Sequence, residues 1–160
     1  MDFEKRLQKA VERGQQTKHV RGRERDDAAI SEEELKTLHS KCRLDLSERI
    51  EICFRKLADQ FPGFAFKSVI GEEGWGALIS RDDFFANATK TGQNLYSRFE
   101  MLIRPISPAQ IVELTAKGTI RNKEVIGRSH YQFLAQVDID SFFEQIDLWV
   151  LEYAEKYASS

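Results

Sequence analysis

The hydrophobic positions change period twice along the chain. Leu35, Leu38, Cys42, Leu46, Ile50, Cys53, Leu57 and Phe61 recur every three or four residues, the spacing that places side chains on one face of an α-helix. This stripe predicts a helix of about seven turns. Ser31 and Glu34 open it in a capping-box pattern, and Pro62-Gly63 stops it. From Phe64 the period falls to two. Phe64 and Phe66 share one face of a first strand, Gly71-Glu72-Glu73-Gly74 makes a turn, and Trp75, Ala77 and Ile79 alternate in a second strand. Residues 82–94 read as a loop. Three more strands are predicted over 95–106, 111–119 and 124–133, with Asn122-Lys123 at the last turn. Helical spacing then returns through Ile139, Phe142, Phe143, Ile146, Trp149, Val150, Tyr153, Ala154 and Tyr157. Several residues of 137–141 can cap this helix, and Ser141 with Glu144 forms a second capping box. Leu148 and Leu151 widen its apolar face, so burial over much of its girth is expected.

Before the long stripe, Phe3, Leu7, Ala10 and Val11 predict a short amphipathic helix that ends at Gly14. Residues 14–30 show no periodicity and read as a flexible connector. The chain thus divides into 1–30, a short helix with a basic connector, and 31–160, a single α+β domain. Strands joined by short links favour an antiparallel meander of about five strands. The long helix and the last helix cover one face of it. The other face is left to water or a partner. The arrangement resembles several small α+β scaffolds, bacterial secretion-chaperone-like folds among them. That resemblance is architectural and implies no function.

Composition narrows the class. The chain has 160 residues, 41% hydrophobic and 31% charged, which suits one globular domain and excludes a wholly disordered one. The net charge is −2, so no global field favours nucleic acid or membrane. The charge is uneven, however: eight Lys/Arg against four acids in residues 1–25 make a basic arm of +4. No apolar run suits a signal peptide or a bilayer span, so a cytoplasmic protein with no membrane contact is expected. Cys42 and Cys53 lie eleven residues apart on one predicted helix. That separation is roughly 16 Å, too far for a disulfide, and both read as small buried hydrophobes.

Chemistry is sparse. The phosphate-loop, zinc-protease and serine-hydrolase motifs are absent, as is C-x-x-C, and no cofactor or metal is expected. Strand alternation gathers one polar face instead. If Phe99, Leu114 and Tyr131 point to the core, then Arg98, Arg104, Glu113, Lys117, Arg128 and His130 share the outer face. That set is a candidate platform for an anionic ligand or a partner, with His130 and Glu113 as a base and its orienter. The plainer reading is a solvated face laced with ion pairs. Lys18, Arg21, Arg23 and Arg25 are candidates for a phosphate backbone, but Glu24, Asp26 and Asp27 dilute them and no aromatic interleaves. The leading expectation is a non-enzymatic interaction or adaptor protein, a homodimer or the binder of a partner protein. A nucleic-acid-associated protein using the arm is the less favoured alternative. A small-ligand-binding protein or enzyme using the sheet face is the other.

Overall fold

The computed structural model describes residues 3–20, 28–83 and 95–160. Helix α1 spans Phe3–Val20 and α2 spans Ala28–Gln60. Five strands follow: β1 (Ala65–Gly71), β2 (Gly74–Asp82), β3 (Tyr96–Ile103), β4 (Ile111–Ile120) and β5 (Lys123–Phe133). A short 3-10 turn, Leu134–Gln136, leads into α3 (Ile139–Ala158). The strands lie in sequence order, each antiparallel to the next. The α+β meander expected from the alternation is therefore the architecture.

Two helix boundaries differ from expectation. Helix α1 runs through Gly14 to Val20. One glycine costs a helix about 1 kcal/mol, and the glutamines and lysine that follow are good helix formers. Helix α2 begins at Ala28, so Ser31 lies inside the helix and not at its cap. At α3 the cap is Asp138, and the Ser141 hydroxyl donates back to the Asp138 carbonyl. Of the loop expected at 82–94, Asp82 belongs to β2 and residues 84–94 lie outside the described residues, as do the connector residues 21–27.

Both long helices pack on one face of the sheet. Cys42, Leu46, Ile50, Phe54 and Leu57 of α2 and Phe142, Ile146, Trp149, Val150, Tyr153 and Tyr157 of α3 are buried against Ala77, Ile79, Phe99, Met101, Ile103, Val112, Leu114 and Ala116. Phe99 keys the layers together. Its ring stacks on Phe54 of α2 at 4.9 Å and on Tyr153 of α3 at 4.4 Å. Phe61 and Phe64 close one end against Tyr157. Arg49 of α2 meets Asp147 of α3, and Phe61, just past the end of α2, meets Tyr157 near the end of α3, so the two helices run parallel.

The turn between β4 and β5 decides which side chains of β5 face the helices. Arg121 and Asn122 both adopt positive φ, at 48° and 69°, and Ile120 pairs with Lys123. This is the geometry of a two-residue hairpin turn. Thr119 then pairs with Glu124, but Gly118 pairs with Ile126. Val125 is the extra residue of a β-bulge, and beyond it every side chain of β5 changes face. Ile126, Arg128 and His130 stand beside Gly118, Ala116 and Leu114, on the helix side. Tyr131, expected in the core, stands beside Glu113 on the outer face and is 57% exposed.

Candidate interaction surface

The register separates the residues proposed to form one platform. Arg98, Arg104, Glu113 and Lys117 do share the outer face: Glu100 pairs with Lys117, and Arg98 with Thr119. Arg128 and His130 do not share it. The bulge turns Arg128 toward α3, where its guanidinium bonds both carboxylate oxygens of Glu152 at 3.0 and 3.3 Å. His130 packs edge-on against Phe142 of α3, with ring centroids 4.9 Å apart. Burial lowers its pKa, and the charge of Arg13 adds to this. His130 and Glu113 thus lie on opposite sides of the sheet and cannot act as a base and its orienter. Glu113 accepts from Ser129 at 3.2 Å instead. On the outer face Arg98 pairs with Glu100 at 3.0 Å, and Arg104 donates to the Glu73 carbonyl at 2.6 Å. Charges of both signs alternate there, the pattern of a solvated face.

The polar groups inside the fold hold elements together. Arg49 grips Asp147 with two bonds, of 3.1 and 2.6 Å, tying α2 to α3. The bonds to Arg49 hold the Asp147 carboxyl below its usual range. Cys53 donates to the same carboxylate at 3.4 Å, and burial followed by that bond pushes its thiol pKa up. Cys42 is raised by burial as well. Neither thiol is set up as a nucleophile, which requires a lowered pKa. At the far end of the sheet the buried Asp83 accepts from Ser97 and from Tyr157, the latter at 2.7 Å, and faces Arg81 at 3.2 Å. Burial, then the bond to Asp83, pushes the Tyr157 phenol up to about 12. His39 is buried on α2, and burial lowers its pKa. Among the described residues no group of three His, Cys, Asp or Glu side chains is placed to hold a metal ion.

Apolar surface is left open on the side of the helices away from the sheet. Leu148 and Leu151, expected to be buried, are 50% and 64% exposed. Leu44 and Ile52, two helical turns apart on α2, are exposed as well. Glu144 precedes Leu148 by four residues, and Glu155 follows Leu151 by four. The two leucines therefore sit on a ridge bracketed by acids.

Helix α1 meets this ridge at a charged pair. Arg6 donates to Glu144, and both side chains are about half exposed. None of the described α1 side chains, those of residues 3–16, belongs to the hydrophobic core, and Phe3, Leu7 and Val11 are all more than half exposed. Helix spacing makes the α1 stripe and the breadth of the α3 face legible in the sequence. Their exposure is not legible, because it depends on where the sheet ends and how the helices tilt over it. Of the basic arm, Arg21, Arg23 and Arg25 lie outside the described residues, as does the side chain of Lys18. No helix among the described residues is long and apolar enough to cross a membrane. No protein-family model matches the chain, and no curated protein or solved structure proves significantly similar to it.

Proposed function

We propose that this protein is a non-enzymatic interaction module that binds a protein partner through the outward side of its helical layer. The observation that carries this reading is the exposure of Leu148 and Leu151 on α3 and of Leu44 and Ile52 on α2, two parallel helices tied at the Arg49–Asp147 pair. Exposed leucines scattered singly need no explanation, whereas two leucines one turn apart between two acids, with further exposed apolar residues on the neighbouring helix, fit a partner surface. The groups that catalysis would use are engaged elsewhere. His130 is packed under α3, both thiols are raised, and Asp83 is buried among its donors. The open sheet face carries alternating charges and suits solvent better than an anionic ligand.

Photo-crosslinking in the cells that make the protein tests the reading. A photoreactive side chain placed at Leu148 or Leu151 is expected to yield protein adducts, and one at Lys117 or Tyr131 is not. Adducts from the sheet positions only, or from none of the four, would contradict it.

A further inference from the structure

We propose that the partner seated on this layer is a second copy of the same chain. Each copy would lay the Phe3–Leu7–Val11 stripe of its α1 along the Glu144–Leu148–Leu151 ridge of the other. This rests on the interaction reading above and names its occupant.

Three observations point to a second copy. The first is an unfilled need on α1. The helix has an apolar stripe at positions 3, 7 and 11, yet none of its described side chains joins the core, and Phe3, Leu7 and Val11 stay more than half exposed beside the Arg6–Glu144 pair. An amphipathic helix is stabilised chiefly by burying such a stripe. The second is charge. Residues 3–16 carry Lys5, Arg6, Lys9 and Arg13 against Glu4 and Glu12, while α3 carries Asp140, Glu144, Asp147, Glu152 and Glu155 against Lys156. Basic α1 and acidic α3 already attract within one chain, and that contact leaves both apolar rows uncovered. The third is spacing. Glu144, Leu148, Leu151 and Glu155 follow one another at intervals of four, three and four residues, the row that a second helix packs along. Phe3, Leu7 and Val11 repeat at four, with Arg6 and Arg13 beside them. Both halves of the contact lie on every chain, so the exchange is isologous and closes as a two-fold dimer.

Light scattering on the full chain, from submicromolar to high micromolar, reads this directly. The expected mass at the upper end is twice the 18.5 kDa of one chain. Leu7→Lys and Leu148→Glu should each give single-chain mass, with unchanged circular dichroism because both positions are exposed. An equimolar mixture of the two should regain the doubled mass. In the mixture one contact is unaltered, and in the other the introduced ammonium faces the introduced carboxylate. Single-chain mass for the unaltered protein throughout would overturn the proposal, as would a doubled mass that either variant alone retains. A protein that stays single yet crosslinks to a foreign protein from Leu148 would sink the second copy and leave the interaction reading standing. Single mass with no adduct at all would sink both.

Discussion

Phe99 and Gly118 face each other across β3 and β4, and their sizes are matched. A side chain on Gly118 would meet the rings of Tyr153 and Phe99 at 3.0 and 3.1 Å. The absence of one lets Phe99 stack on Tyr153, whose hydroxyl reaches the Thr119 carbonyl at 2.8 Å. The buried His39 and the half-buried His130 give the fold a pH dependence. Burial is the main cause that lowers both His39 and His130, with Arg43 and Arg13 adding to it and a backbone hydrogen bond at Arg104 opposing it at His39. The unfolded chain then binds these protons more readily than the folded one. Stability is therefore full above the ordinary histidine value of 6.5 and is lost as pH falls below it. Asp147 is lowered too, so its contribution is lost only below the ordinary 3.8. Denaturant melts should show the midpoint falling between neutral and mildly acidic pH, with a shallower fall in His130→Gln. A midpoint flat across that range would contradict the burial of both rings.

Among the elements, β5 shows where sequence reading stops. The α2 stripe was legible because eight apolar residues keep one helical spacing. The meander was legible from alternation and turn residues. In β5 both alternate sets mix apolar and polar residues, Val125 and Tyr131 with Ser129, Ile126 with Arg128 and His130. Periodicity therefore cannot choose the inward set, and the choice falls to the bulge at Val125. The platform lost Arg128 and His130 for that reason alone. Melts of single variants test the register. Leu114→Ala should cost about 2–5 kcal/mol, as buried leucines do, and Lys117→Ala no more than about 1 kcal/mol. Tyr131→Ala should fall nearer the lysine variant than the leucine one. A tyrosine variant as damaging as Leu114→Ala would restore the unbulged register.

At the scale of the whole molecule, the sheet buries one face under α2 and α3, and α1 meets α3 at the Arg6–Glu144 pair. The two sides of the protein differ accordingly. The outer sheet face satisfies its charges locally, as Arg98 with Glu100 and Glu113 with Ser129 illustrate. The helical side keeps apolar rows on α1, α2 and α3 that nothing among the described residues covers. The account therefore places association on the helical side and leaves the sheet face and the β5 edge to solvent. Amide hydrogen exchange on the full chain, compared at dilute and at high protein concentration, separates these surfaces in one experiment. Exchange should slow with concentration in residues 3–16 and around Leu148 and Leu151, and stay unchanged along β5. Slowing confined to β5, or no change anywhere in the chain, would contradict the account.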